Sequence, residues 1–239
     1  MIIPLSFCLF FTKTEVIIGM PRKHYEAFLR YAAEELPEGY FLQTFFTEKN
    51  SPFYFAKVRK DNTKFVEYYI KDLDIHHGLF VDIFPFDNVP DNDMLKKLHY
   101  RLCRIANHLY LSKALTTVCS SRFERKDNYK GFIRKLLHFM LLPVPKSLLF
   151  RILDGCVRMF NNKSCSEISH IVRRRLRVKL DDLYPLVYLP FGETQIPVPN
   201  NYDAYLTAQY GDYKSPPVDS KRYEHMPYCI EFDSQEELK

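Results

Sequence analysis

Eleven residues, His77-Gly-Leu-Phe-Val-Asp-Ile-Phe-Pro-Phe-Asp87, hold the densest chemistry in the chain. Asp82 stands as a single carboxylate inside an apolar run. Burying an unpaired carboxylate is costly, so such a group finds a partner or gives up its charge. A cation, as in a metal-bound nucleotide, would serve, and so would backbone N–H groups at a strand end. Asp87 is either a second acidic position or a turn residue ahead of Pro90. His77 is placed to assist proton transfer or to cap a turn. Lys57, Arg59 and Lys64 flank a hairpin-like stretch. They either face nucleotide phosphates or solubilise the surface. Tyr210, Asp212 and Tyr213 either close over a substrate or form a packed turn.

These groups need rigid elements to position them. Pro21 to Glu35 reads as a helix, with Pro21 at its start and Tyr25, Phe28, Leu29 and Ala32 as its apolar face. Tyr40–Phe46, Phe53–Val58 and Lys64–Ile70 read as strands, with Asp61-Asn62 as a turn, and Leu79–Phe84 as a buried fourth strand. A helical section spans 93–162. Its first helix carries Leu95, Leu98, Leu102, Ile105 and Leu109 at steps of three and four, with Lys96, Lys97, Arg101 and Arg104 opposite. Helices are also predicted over Tyr129–Leu142 and Lys146–Phe160. Beyond them, Leu189–Pro199 reads as a hairpin against a sheet edge. Tyr202–Tyr210 reads as a helix capped by Asn201 and stopped by Gly211. Residues 1–18 match no clear element.

The 239 residues are expected to form one domain, 1–239, with an apolar fraction of 46% that excludes a disordered chain. A net charge of +5 suits phosphate-bearing substrates or an anionic membrane surface and is too small to imply nucleic acid. The basic run Arg173-Arg-Arg-Leu-Arg177 is either a solvated face or a contact for phosphates or membrane. Six cysteines without Cys-x-x-Cys spacing give no zinc or redox motif and point to a reducing, cytoplasmic location. Peripheral attachment to the inner face of the membrane stays open.

Four blocks carry a resemblance: Gly19–Phe28, Lys57-Val-Arg-Lys60, Gly78–Asp87, and 191–217 with Tyr210-Gly-Asp-Tyr213, within a C-terminal block 189–217. In this order they resemble the LicD/fukutin-type phosphotransferases. The resemblance implies an α+β, nucleotidyltransferase-like mixed sheet with a helical middle section. It implies transfer of a phosphocholine-like group from CDP-choline, or a similar CDP-alcohol, to a glycan or lipid-linked glycan acceptor, with Mg²⁺ or Mn²⁺. It also implies an Asp-x-Asp pair just before Gly-Met-Pro-Arg. Here those positions read Lys13-Thr-Glu-Val-Ile-Ile18, with Glu15 at the first carboxylate and Ile17 at the second. Asp82 and Glu15 would then be the remaining metal ligands. Residues 1–18 are therefore expected to be an atypical or truncated start. A silent relative that still binds nucleotide or glycan, and a basic peripheral membrane or scaffold protein, are the alternatives.

Overall fold

The computed structural model describes residues 8–11, 16–115, 128–172, 177–215 and 227–232. Glu15 and residues 173–176 of the basic run lie outside them. The described part of 1–18, expected to match no element, instead supplies two strands. β1 (Cys8–Phe11) and β2 (Val16–Pro21) pair antiparallel, and Ile17 is fully buried. The run Val16-Ile-Ile18 is β-branched, which suits a pleated core strand. Pro21 ends β2, and α1 (Arg22–Glu35) starts directly after it.

β3 (Tyr40–Gln43) is shorter than predicted. The Thr47 hydroxyl donates to the Leu42 carbonyl at 2.7 Å and accepts from the Thr44 N–H at 2.8 Å, turning the chain away. β4 (Ala56–Lys60) starts after Phe53-Tyr-Phe55 rather than within it. Asn62, at φ 56°, makes the turn into β5 (Lys64–Val66), and Tyr68–Ile70 is a single 3₁₀ turn rather than strand. β6 (Phe80–Val89) runs five residues past the predicted Phe84, through Pro85. Its edge pairs with β4 up to Ile83 and with another strand from Asp87 onward, so Pro85 falls between ladders where no N–H is needed.

α2 (Asp93–Ala114), α3 (Asn128–Met140) and α4 (Lys146–Val157) form the helical section. Asn92 caps α2 by accepting from the Met94 and Leu95 N–H groups. The buried face of α2 is His99, Tyr100, Cys103, Ala106 and Tyr110. The leucine stripe that signalled the helix is the other face: Leu95, Leu98, Leu102 and Ile105 are exposed. β7 (Glu167–Ser169), β8 (Arg177–Lys179) and α5 (Leu180–Leu183) follow. β9 (Val187–Phe191) and β10 (Thr194–Val198) make the predicted hairpin. α6 (Tyr202–Tyr210) is capped by Asn201 and followed by Gly211 at φ 69°, and β11 (Cys229–Glu231) pairs with β5.

The main sheet has seven strands in the order β1-β2-β6-β4-β3, with β7 and β8 continuing from the far half of β6. β2 and β6 are parallel and the other pairs antiparallel, which makes the chain α+β, as expected. One face packs Met20, Ile83 and Ala56 against Tyr25 and Ala32 of α1. The other packs Ile17, Phe84 and Phe86 against Leu183 of α5 and Tyr205 of α6. A third cluster joins α2 to α4 through Cys103, Tyr110, Leu149 and Leu153.

Burial of His99, whose Nε2 lies 2.8 Å from the Cys156 carbonyl, lowers its pKa, and burial does the same at His77 and His108. The unfolded chain then takes up protons from about pH 6.5 downward while the folded chain resists until lower pH. The stability tied to these rings is complete above that pH and is lost as the pH falls through it. The urea midpoint is expected to drop between about pH 7 and pH 5. His99→Asn should flatten part of that slope, and an unchanged slope would remove His99 from the account.

Candidate active site

The sheet register places Ile17, Asp82 and Lys57 in one row across β2, β6 and β4. Residues opposite one another on adjacent strands share a face. Asp82 and Lys57 are each 1% exposed. The Lys57 ammonium lies 2.9 Å from Asp82 Oδ1 and 3.2 Å from Glu67 Oε2. It also sits over the Phe80 ring at 3.4 Å and the Phe53 ring at 4.5 Å from the centroids. Glu67 is held in turn by the Tyr69 hydroxyl, which donates to Oε1 at 3.1 Å. The partner of Asp82 is thus a lysine of the chain itself, which the sequence reading did not name.

Arg59, two residues along β4 from Lys57, is fully buried. Its Nε donates to Gln43 Oε1 at 2.8 Å and its Nη1 to the Gly78 carbonyl at 2.7 Å. Burial pulls its pKa below the ordinary guanidinium value, against the opposing pull of Glu67 and Asp82. Gln43 donates onward to Glu48, whose other oxygen accepts from the His76 N–H at 2.7 Å. The His76 ring meets Asp61 at 2.8 Å and stacks on Phe41. Lys57 and Arg59 are therefore not surface solubilisers.

Gly78 is required by this packing. A Cβ there would stand 2.1 Å from the Lys60 carbonyl oxygen and 2.6 Å from His76 Cε1. Gly78→Ala is expected to cost about 1–3 kcal/mol, since backbone must shift to relieve the overlap. A urea titration checks it, and an unchanged midpoint would show that the loop yields freely.

The remaining predicted residues sit elsewhere. His77 Nε2 lies 3.1 Å from the Leu73 carbonyl, and its own carbonyl accepts from the Phe65 N–H, so the residue fastens a turn. Lys64, 56% exposed in its side chain, pairs with Glu231 at 2.7 Å on the β5–β11 ribbon, outside the main sheet. Tyr210 is partly exposed at the end of α6, and Asp212 accepts from the Ser215 hydroxyl at 2.5 Å. Asp87 is 1% exposed and belongs to the α1 side of the sheet. Arg22 grips it through Nε at 2.8 Å and Nη2 at 2.6 Å, and Asn161 donates to it at 2.6 Å. Arg22 Nη2 also donates to the Tyr54 hydroxyl at 3.0 Å, which donates to Asp154 at 2.9 Å. Arg158 joins Asp154 to Glu26. The sequence reading missed this network. Its one signal was an arginine at the first turn of α1, inside the Gly19–Phe28 block.

Mg²⁺ or Mn²⁺ prefers several hard oxygen ligands around one point. Among the described residues, no three His, Cys, Asp or Glu side chains form such a group. Asp82 is engaged by Lys57, and its direct β2 neighbour is Ile17. With the Lys57 ammonium standing between Asp82 and Glu67, the described residues do not fit a metal at this point.

Fold and site together define an α+β protein with a buried carboxylate–ammonium pair at the centre of a mixed sheet, and the chain resembles the LicD/fukutin-type phosphotransferases. The lipopolysaccharide cholinephosphotransferase LicD of Haemophilus influenzae is 28% identical over 158 residues, which cover 62% of this chain and 55% of that protein. The chain thus spans about half the length of the curated relative it matches. No family model matches the chain, and no solved structure matches it.

Proposed function

We propose that this chain is a LicD-type phosphotransferase body on a nucleotidyltransferase-like sheet. The reaction such a body inherits is transfer of a phosphocholine-like group from a CDP-linked donor to a cell-surface glycan or its lipid-linked precursor, at the inner face of the membrane. The observation that carries this reading is the similarity to the LicD cholinephosphotransferase. The row Ile17–Asp82–Lys57 adds to it, because the position where the resemblance calls for a carboxylate is the sheet neighbour of Asp82. Transfer of a phosphoryl group rests mainly on positioning and charge neutralisation. On this face Lys57 and Arg59 are the described cations nearest that role.

The same row favours a second reading, a silent relative that retains donor binding. Ile17 supplies no oxygen, and the Asp82 charge is already balanced by Lys57. CMP release from CDP-choline, measured with Mn²⁺ and with a chelator, separates the two. The unmodified chain is expected to release little CMP. A Glu15→Asp/Ile17→Asp form, checked for folding by its melting curve, is expected to release CMP in a metal-dependent way. Robust release by the unmodified chain overturns the silent reading. A folded double variant without release sinks the donor assignment.

A further inference from the structure

The helical section exposes apolar side chains that a packed protein would bury. Leu98, Leu102 and Ile105 run along the outer face of α2. Phe132, Leu136 and Phe139 repeat the pattern along α3 at steps of four and three, and Phe132 and Phe139 are each about two-thirds exposed. The helices are neighbours. His138 Nδ1 meets the Ser112 carbonyl at 3.0 Å, and Lys113 donates to the Leu141 and Leu142 carbonyls just past α3. Exposed apolar stripes of this extent mark an interaction surface.

Charge selects the occupant. α2 and α3 together contain eight Lys or Arg residues against one acidic residue, Asp93, so these two helices exceed the net charge of the whole chain, +5. Lys97, Arg101 and Arg104 of α2 and Lys135 of α3 are exposed among the apolar residues. A second copy of the same basic face would meet its own charge. An apolar partner surface would leave the cations unmatched. A bilayer with anionic headgroups satisfies both, taking up the side chains at the acyl boundary while lysine and arginine reach the phosphates. No helix among the described residues is long and apolar enough to cross a membrane, so the contact is one that lies in the interface. We propose that the outer face of α2 and α3 docks this chain flat on an anionic lipid bilayer. The inference stands on the surface alone and does not depend on the transferase reading.

Cosedimentation with vesicles tests it. The full chain is expected to bind phosphatidylcholine–phosphatidylglycerol vesicles and to leave pure phosphatidylcholine in solution. Raising the salt from about 0.1 M to about 1 M shortens the screening length from ~10 Å to ~3 Å and should release it. Leu98→Ser/Leu102→Ser/Ile105→Ser should lower binding about tenfold or more. These residues are exposed, so the melting curve should hold. Lys97→Glu/Arg101→Glu should act similarly on the mixed vesicles. Four results would overturn the proposal: no binding to either vesicle, equal binding to both, binding indifferent to the serine variant, or self-association through the same stripe in place of vesicle binding.

Discussion

Lys57→Met is expected to destabilise the folded chain by about 3–5 kcal/mol, because it strands two carboxylates beside one buried point. Asp82 is 1% exposed, and Glu67 lies on the same ammonium. Methionine fills much of the lysine volume, so lost packing accounts for little of the effect. Adding Asp82→Asn to Lys57→Met should recover part of the loss, since it removes one unbalanced charge and keeps the shape. A divalent cation should also help. At about 100 times its dissociation constant, a ligand that binds only the folded form returns about 2.7 kcal/mol. Mn²⁺ is therefore expected to raise the melting temperature of Lys57→Met and leave that of the parent chain unmoved. A parent chain that also responds would mean that Asp82 takes a metal with Lys57 in place. A variant that melts like the parent would show that the pair contributes nothing to the fold.

Asp87→Ala is expected to cost a similar amount, about 3–5 kcal/mol, for the opposite charge. Its carboxylate neutralises Arg22 through two hydrogen bonds and holds Asn161. Burial lowers the Arg22 pKa and Asp87 raises it, and the net shift is upward, so without Asp87 a guanidinium is left buried. The change also loosens the link from α1 through Tyr54 to Asp154 on α4. Urea unfolding should show a lower midpoint. A substrate-binding role for Asp87 would leave the midpoint in place and weaken only donor affinity, so the two measurements distinguish its roles.

Much of the element order was legible because local signals were strong. Asn201 and Gly211 bracket α6 through a side-chain cap and a positive φ, both of which are properties of residue type. Asp82 was legible as a carboxylate among apolar residues. Its partner was not, because the pairing of Lys57 with Asp82 depends on the β4–β6 register between residues far apart in the chain. The same limit hid Asp87 and Arg22, which are 65 residues apart. α2 shows a different failure. Its period was read correctly and its inward face was not, since histidine, tyrosine, cysteine and alanine rank below leucine on any hydropathy pattern. His99 is accepted inside because it meets the Cys156 carbonyl, and Ala106 is small enough for close helix packing. The strands Cys8–Phe11 and Val16–Pro21 were not read within residues 1–18, although Val16-Ile-Ile18 has the composition of a strand.

β6 carries its two carboxylates an odd number of positions apart, and successive strand residues point to opposite faces. Asp82 therefore meets Lys57 on one side of the sheet and Asp87 meets Arg22 on the other. Slipping the strand by one residue would turn each acid away from its own cation. Both pairs would fail together, and two charges would be buried against hydrocarbon. A strand this apolar, with Ile83, Phe84 and Phe86 buried on its two faces, has little else to discriminate neighbouring registers. In the observed register both aspartates meet a cation, one on each face of β6.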